Sequence, residues 1–204
     1  MNKFTSILIV VLAALCTAQA DAQQPSAGQK KQKQPPLFSS SGGNSPHETF
    51  SIAIGGNRRT GSSITITYGR PNRTHPRTGE LRKVWGGLVP WDKADRLGAD
   101  EATTILTQHP IEIAGAIIPA GIHTLYIVPS GQGATKLAFS RNVGKWGVPV
   151  DETQDVARVD LKKDTLPAPV DRLTLAIEPA EGNNGVLKIS WDDTQWSVPF
   201  AVRR

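Results

Sequence analysis

The residues with the clearest capacity for chemistry lie together in one short segment in the middle of the chain: Arg96, Asp100 and Glu101. Arginine is always charged, and its planar guanidinium pairs bidentately with carboxylates. An arginine beside two acids therefore favours a polar-ligand site, or a carboxylate placed as a general base. The structural alternative is an internal Arg96–Glu101 pair that fixes a glycine-rich loop onto a sheet. Adjacent strand residues point to opposite faces, so Asp100 and Glu101 are not expected to form a catalytic dyad.

Five tryptophans form the second group of interest. A flat indole ring can stack on the apolar face of a sugar or of another small ligand. Trp85, Trp91 and Trp146 lie on loops bounded by glycine, where a tryptophan either contacts a ligand or anchors the loop, and the sequence leaves both roles open. Trp191 and Trp196 follow strand patterns, and we predict that both are core residues.

The candidate ligand-binding set combines these polar and aromatic residues. It consists of Arg70, Trp85, Trp91, Arg96, Asp100, Glu101 and Trp146. Arg70, Arg96 and Glu101 would supply the polar contacts, and the three loop tryptophans would supply the flat ones. Catalytic residues are not assigned.

Metal and cofactor chemistry find no support in the sequence. The four histidines do not show metal-ligand spacing with one another or with an acid, so we predict no metal site. No Gly-x-Ser-x-Gly elbow, phosphate-binding loop or dinucleotide fingerprint is present, so we predict no cofactor. His123 lies in an apolar segment, and we expect it to be a half-buried side chain with its hydrogen bonds satisfied.

The elements that must position these residues are short strands. Apolar and polar residues alternate in segments 50–54 and 63–68, which is typical of strands with one buried face. Further strands are predicted at 102–107, 111–113, 117–118, 122–128, 135–140, 156–161 and 173–177. A proline-rich connection, at Pro167 and Pro169, separates the last two of these. A hairpin is expected at the end of the chain, with strands at 186–191 and 195–202 and a turn at residues 192–194.

Short strands of this kind, with turns every eight to twelve residues or so and no convincing amphipathic helix, define the fold class. They predict an all-β fold, an antiparallel β-sandwich or jelly-roll-like single domain that spans residues 46–204. Only residues 151–159 are compatible with a single helical turn instead.

The first 20 residues have the features of a secretory signal peptide: a basic start, an apolar run and the Ala18-x-Ala20 cleavage pattern before Asp21. The apolar run is too short for a membrane-spanning helix, which needs roughly 20 residues. We therefore expect export to the periplasm or the extracellular space, with no transmembrane segment after cleavage. Cys16 is the only cysteine, and it leaves with the signal peptide unless it is lipidated, which the large preceding residue disfavours.

Residues 21–45 are rich in Gln, Pro, Ser, Gly and Lys, and we predict a disordered linker there. The formal charge of the whole chain is +5, but from position 46 onward nineteen basic residues face seventeen acidic ones. Basic residues concentrate in segment 58–83 and acidic ones after residue 150. These two regions either neutralise each other across the fold or leave an anion-binding face. Nucleic acid is not a predicted partner.

Six motifs, in this order, carry a resemblance to a known family. They are Tyr68-Gly69-Arg70-Pro71, Trp85-Gly86-Gly87-Leu88-Val89-Pro90, Arg96-Leu97-Gly98-Ala99-Asp100-Glu101-Ala102-Thr103, Pro119-Ala120-Gly121, Gly144-Lys145-Trp146-Gly147 and Ser197-Val198-Pro199-Phe200. With them the chain resembles domain-of-unknown-function family 2911, whose members are exported, mostly by bacteria, and have no established activity. The chain differs from the family pattern at Asp95, where tryptophan is common, and at Asp100, where asparagine is common.

Three functions follow as hypotheses. The leading one is a non-catalytic module that binds a small polar ligand, a glycan or a partner in the cell envelope. The second is a hydrolase that uses Glu101 or Asp100 as its general base, which would need two acids in one cleft. The third is a structural or adhesion module, for which no pocket is expected.

Overall fold

The computed structural model describes residues 45–204, which consist of β-strands and loops apart from one short 3-10 turn at Glu152–Gln154. The strands are β1 (His47–Ile54), β2 (Ser62–Gly69), β3 (Asp95–Arg96), β4 (Thr103–Thr107), β5 (Ile111–Ile113), β6 (Ala116–Ile118), β7 (Gly121–Val128), β8 (Lys136–Ser140), β9 (Asp155–Asp160), β10 (Lys162–Pro179) and β11 (Asn184–Val202). The predicted signal peptide, and all of the predicted linker except its last residue, lie outside the described residues.

The strands form two antiparallel sheets. The first has the order β1-β2-β4-β7-β8-β9, with β3 paired to β7 beside this path. The second has the order β10-β11-β5-β6. The two sheets pack into a sandwich, which confirms the predicted all-β antiparallel fold.

The core lies between the sheets because alternate residues of each strand face inward. In β2, Ile64 and Ile66 are buried whereas the intervening Thr65 is not. From the second sheet, Leu175 of β10 and Ile189 of β11, which are direct cross-strand partners, belong to the same buried cluster. Burial of apolar surface at roughly 25 cal/mol per Å² is the main stabilising contribution to such a core.

The C-terminal strand differs from the predicted hairpin. The expected turn at residues 192–194 is wrong, because β11 continues through these residues and pairs along its length with β10. Asp192 has a φ of 54°, and the pairing register with β10 shifts at this point, which together indicate a β-bulge. Before the bulge the inward-facing residues have odd numbers, and after it they have even numbers. Trp191 and Trp196 therefore both face the core, and each is only 3% exposed. Both tryptophans are therefore core residues, as predicted.

Strand β10 extends through a segment that we predicted to be a connection. It pairs with β11 from Lys162 to Pro179, and the proline-rich segment lies inside it, where the pairing register shifts between Thr165 and Val170. Proline cannot donate a ladder hydrogen bond, so it is tolerated in a strand at an edge or an irregularity. Strand β10 is at the edge of its sheet, which satisfies this requirement.

Candidate functional site

The chain between β2 and β4 includes β3 and, before it, a tight turn at residues 84–89 that contains two glycines. The amide of Gly86 donates to the carbonyl oxygen of Val89 at 2.8 Å, and the amide of Val89 donates to the carbonyl oxygen of Val84 at 2.9 Å. Gly86 has a φ of 76°, and a Cβ atom there would lie 2.0 Å from Nε1 of Trp91. Only glycine fits this position, because any side chain would meet both an unfavourable backbone conformation and the indole ring.

Trp85 anchors this turn in the core. Its ring packs edge-on against Trp191 and Trp196, with centroids 6.2 and 5.9 Å away, and its Nε1 donates to the carbonyl oxygen of Trp191 at 3.2 Å. Trp85 is 7% exposed. Of the two roles that the sequence left open for this residue, the structure supports loop anchoring, although the residue also borders the pocket described below.

Trp91 also packs as an anchor. Its half-buried ring contacts the hydrophobic core and lies against the backbone of Gly86 and Gly131. It does not line the pocket described below. The structure therefore does not bring Trp91 together with the other candidate residues.

Arg96 of β3 is held by backbone carbonyl groups. Its Nη1 donates to the carbonyl oxygens of Asp100 at 2.5 Å and of Trp146 at 3.1 Å, and its guanidinium lies 5.2 Å from the centroid of the Trp146 ring. The loop that carries Trp146 approaches closely because Gly147 has no side chain. A Cβ atom there would lie 3.1 Å from Cβ of Arg96. Trp146 is 49% exposed and covers the outer side of the guanidinium.

The internal Arg96–Glu101 pair, which the sequence offered as the structural alternative to a ligand site, does not form. Glu101 is exposed, and its Oε2 lies 3.0 Å from Nε2 of His47 at the start of β1. Local spacing suggested the arginine as the partner, but the chain fold brings a histidine from 54 positions away. Glu101 does not line the pocket beside β3 that is described below, so the structure does not favour it as a general base there.

Asp100 occupies a different environment from its neighbour. Its φ is 64°, a left-handed conformation that aspartate tolerates better than most residues. Its Oδ2 atom is buried and has no hydrogen-bond partner among the described residues, and Nε2 of His47 lies 3.9 Å from it. Asp100 lines the same pocket as Trp85 and Arg96.

Arg70 connects the two sheets. From the end of β2 its Nε donates to the carbonyl oxygen of Leu173 at 3.0 Å, and its Nη2 donates to Oγ1 of Thr174 at 2.8 Å. Its Nη1 pairs with Oε2 of Glu48 at 2.8 Å. The guanidinium is thus engaged with partners in β1 and β10, and Arg70 does not line the pocket. The structure assigns it a role in packing the sheets.

The basic segment and the later acidic residues meet in at least one place. Nη1 of Arg73 lies 2.8 Å from Oδ1 of Asp192, and Nη2 lies 3.4 Å from Oδ1 of Asp171. These contacts raise the pKa of Arg73, with the hydrogen bond to Asp192 as the main cause. At this position the two regions neutralise each other, which was one of the two expectations from the charge pattern.

A pocket of about 420 Å³ opens beside β3. Its apolar wall includes Trp85, Leu97 and Ile127 from the core. Leu88 and Val148, which are 39% and 40% exposed, line it as well. Its charged lining residues are Arg82, Asp95, Arg96 and Asp100. The volume is within the range of small-molecule sites, about 300–1,000 Å³, and the mixed lining of apolar surface with a few charged groups is typical of such sites.

Asp95 is the residue that sequence analysis did not select. It lies in β3 opposite Ile127 and is half-buried. Burial raises the pKa of Asp95 to about 6, although the nearby charge of Arg96 opposes the rise. Among the described residues, no group donates a hydrogen bond to its carboxylate or pairs with it. The only signal in the sequence was its place beside Arg96 and its departure from the family pattern.

His123 is buried deeper than expected. It is 5% exposed, and its Nδ1 has no hydrogen-bond partner within the described part of the chain. The expectation of a satisfied, half-buried histidine is therefore wrong. Burial lowers the pKa of His123, and the charge of Arg141 lowers it further. His123 does not line the pocket beside β3, so we assign it no role there.

Two further observations concern the described residues only. No group of three or more His, Cys, Asp or Glu side chains is arranged so that it could hold a metal ion. In the same part of the chain, no helix has the length and apolar character needed to cross a bilayer.

Comparison with other proteins places the chain in a family without a described activity. Neither the curated proteins nor the solved structures include a match to it. The model of one family, described as "Protein of unknown function (DUF2911)", matches residues 45–200, which is nearly the whole described part of the chain. The family motifs thus extend over both sheets and the pocket between them. The chain belongs to the DUF2911 family of proteins of unknown function.

Proposed function

We propose that this domain is a non-catalytic module that binds a small polar ligand in the pocket beside β3. The observation that carries the proposal is the carboxylate of Asp95, which has no hydrogen-bond partner among the described residues and lines a pocket of about 420 Å³. Partial burial raises the pKa of this carboxylate, and groups with perturbed pKa values are concentrated at binding and active sites. By contrast, Arg70 and Arg73 both have carboxylate partners in this domain.

The neighbouring surfaces suit a ligand of mixed character. Leu88 and Val148 offer exposed apolar surface at the pocket, and Trp85 offers the edge of an indole. Charged groups also line the pocket, from Arg82, from β3 and from the loop that follows β3. A small molecule with one polar end and one apolar face would bury both kinds of surface there.

The test is a binding screen monitored by protein NMR, with monosaccharides, amino acids, small amines and small carboxylic acids as the compounds. We expect at least one compound to shift the indole resonance of Trp85 and the amide resonances of Gly98 and Ala99. Leu88→Trp should fill the pocket and abolish these shifts. Ile117→Trp is the matched control, because Ile117 is a similarly exposed apolar residue of β6 in the other sheet. The proposal fails if no compound shifts the pocket resonances, or if Leu88→Trp leaves binding unchanged.

A hydrolase is the second candidate, and one specific observation favours it. Asp95 and Asp100 line the same pocket, and the pKa of Asp95 is raised to about 6, so one acid could donate a proton while the other accepts one. Asp100 retains the role considered from the sequence, whereas Glu101 does not. The test is an assay for hydrolysis of chromogenic esters, glycosides or phosphate esters. If the protein hydrolyses one of them and Asp100→Asn abolishes this activity, the function is catalysis rather than binding alone.

Export is part of the same proposal. The motivation is the signal-peptide pattern of residues 1–20, which predicts a mature protein that begins at Asp21. Expression of the full chain in a bacterial host, followed by fractionation and intact-mass measurement, tests it. Recovery in the cytoplasm with the mass of the unprocessed chain would contradict export.

A further inference from the structure

The first sheet ends at β1, and the outer edge of this strand has no partner strand among the described residues. The amide of Arg70 donates to the carbonyl oxygen of Pro46 at 2.8 Å, one position before the first pair of the β1–β2 ladder. Hydrogen-bonded pairs alternate with non-hydrogen-bonded pairs along an antiparallel ladder. Even-numbered residues of β1 therefore bond to β2, and odd-numbered ones turn their N–H and C=O groups to the open edge. These residues are His47, Thr49, Ser51 and Ala53.

The other three edges of the two sheets are covered, short or charged. Along β10, the amide of Leu175 donates to Oη of Tyr68 at 3.0 Å, and the amide of Leu173 donates to the carbonyl oxygen of Pro71 at 3.1 Å. Strand β6 has three residues, and three of the six residues of β9 are charged. Coverage, short length and charge are devices by which sheets avoid edge pairing. Strand β1 has eight residues and contains no proline, lysine or register shift, so it lacks these devices.

We infer that β1 is a homodimer interface, at which it pairs antiparallel with β1 of a second copy of this chain. The first sheets of the two copies then form one continuous sheet. The inference does not rest on the proposed ligand binding, because it uses the edge of the sheet and not the pocket.

One register uses all four open-edge residues and is symmetric about Phe50. In this register Thr49 lies opposite Ser51 of the second copy, and His47 lies opposite Ala53 of the second copy. Each hydrogen-bonded pair of an antiparallel ladder exchanges two bonds, so the four pairs would form about eight hydrogen bonds. The strand therefore matches itself without leaving an open-edge group unpaired.

The inward side chains of β1 favour the same register. Phe50 would lie opposite Phe50 of the second copy, in a non-hydrogen-bonded pair, where cross-strand side chains are closest. Phe50 and Ile52 pack against the core but are only half-buried, so a further strand would cover apolar surface of both. The carboxylate of Glu48 would lie opposite Ile52 of the second copy, and it is already paired with Nη1 of Arg70 at 2.8 Å. No like charges oppose each other.

The outward side chains extend a pattern that the sheet already contains. Oγ1 of Thr49 lies 2.9 Å from Oγ1 of Thr67, and Oγ of Ser51 lies 2.7 Å from Oγ1 of Thr65. The proposed register places Thr49 opposite Ser51 of the second copy, which is a further cross-strand pair of hydroxyl groups. The row of hydroxyl pairs would thus continue from one copy into the other.

Residues 21–44 are the other occupant to consider, because they directly precede β1. They contain three prolines and three lysines and show no alternation of apolar and polar residues. Proline cannot donate to a ladder, and lysine is a residue with which sheets block their edges. This sequence is less suited to pair with β1 than β1 itself.

The first test is sedimentation equilibrium of the purified protein from about 1 µM to about 500 µM. A single strand pair is a small interface, so we expect a dimer with a dissociation constant on the order of 10 µM. The double variant Thr49→Glu, Ser51→Glu places like charges opposite each other and should weaken the dimer at least tenfold. Its matched control is Thr49→Lys, Ser51→Glu, which places opposite charges in the same pairs and should dimerise at least as tightly as the wild type. Circular dichroism checks that both variants fold.

Hydrogen exchange measured by NMR identifies the edge that is used. The amides of Thr49 and Ser51 should gain protection as the protein concentration rises through the dissociation constant. The amides of Phe50 and Ile52 bond to β2, so they should be protected at every concentration.

A disulfide tests the register in a Cys16→Ser background, in which the introduced cysteine is the only one of the chain. Phe50→Cys should cross-link two copies on mild oxidation, because the Cα atoms of a non-hydrogen-bonded pair are about 4.5 Å apart. Ile52→Cys is the matched control. Its counterpart would be displaced by four residues, about 13 Å, and should not cross-link.

Four results would overturn the inference. They are a monomer at every concentration, a dimer that is equally tight in the Glu/Glu and Lys/Glu variants, equal cross-linking of the two cysteine variants, and concentration-independent protection of the Thr49 and Ser51 amides. The last result, in a monomeric protein, would assign the edge to residues 21–44 of the same chain.

Discussion

The substitution Asp95→Asn tests the central physical argument, namely that this carboxylate is retained at a cost to folding. The folded protein holds the pKa of Asp95 at about 6, compared with 3.8 for an unperturbed aspartate. Each unit of difference corresponds to about 1.4 kcal/mol, so the full shift is equivalent to about 3 kcal/mol. Because Asp95 is only half-buried, screening by solvent reduces the expected contribution to about 1–2 kcal/mol.

The sign of the effect depends on pH. The folded state binds the proton of Asp95 more tightly than the unfolded state, so the protein loses stability as pH rises from about 4 to about 6. Asparagine does not ionise and avoids this loss. We therefore expect Asp95→Asn to be about 1–2 kcal/mol more stable than the wild type at pH 8 and equally stable at pH 4.

Urea unfolding followed by tryptophan fluorescence at the two pH values measures this difference directly. Glu181→Gln is the control, because Glu181 is an exposed acid in the loop between β10 and β11, and it should have no effect at either pH. A destabilised Asp95→Asn at pH 8, or an equal change at pH 4 and pH 8, would show that the carboxylate supports the fold. The argument that it is reserved for a ligand would then be refuted.

Three further substitutions test the packing around the site. Gly86→Ala should destabilise the fold by about 2–4 kcal/mol in the same urea assay, because its methyl group would collide with Trp91 at a backbone φ of 76°. An alanine variant as stable as the wild type would contradict the described contact. Arg70→Ala should cost about 2–4 kcal/mol because it breaks the contacts between β2 and β10, whereas Arg58→Ala, at an exposed position, should change stability by less than about 0.5 kcal/mol. Similar losses for the two arginines would be evidence against the bridge. The lowered pKa of His123 means that the folded state resists its protonation, so wild-type stability should fall relative to His123→Leu as pH drops below about 6.5. Parallel stability curves between pH 8 and pH 5 would exclude this effect.

Much of the fold was predictable because strand alternation is a local signal. The pattern at residues 50–54 and 63–68 located β1 and β2, and the same reasoning placed Trp191 and Trp196 in the core. The error at residues 192–194 has a physical origin. Two aspartates and a threonine favour a turn, but the cross-strand bonds to β10 hold them in a bulge.

The site was less predictable because its key properties are set by distant parts of the chain. One alternative from the sequence was an internal Arg96–Glu101 pair, whereas the fold offers Arg96 the carbonyl oxygen of Trp146, fifty positions away. The raised pKa of Asp95 arises from burial in the folded chain, which no local pattern reports. Sequence reasoning selected the segment that carries the proposed site, and only the three-dimensional arrangement distinguished Asp95 and Asp100 from Glu101.

The bulge at Asp192 has a consequence for how this chain can change in length. Odd-numbered residues before the bulge and even-numbered residues after it face the same core. The bulge therefore adds one residue to the strand without turning its apolar side chains away from the core. Deletion of Asp192 or Asp193 would leave one residue between Trp191 and Thr194, so a regular strand would still turn Trp196 and Phe200 inward. Deletion of one residue between Thr194 and Phe200 would instead turn the residues beyond it towards solvent. The bulge is therefore a position at which this strand can lose a residue without exposing its core face, and the loop at Gly182, where β10 meets β11, is another place where the chain can change in length.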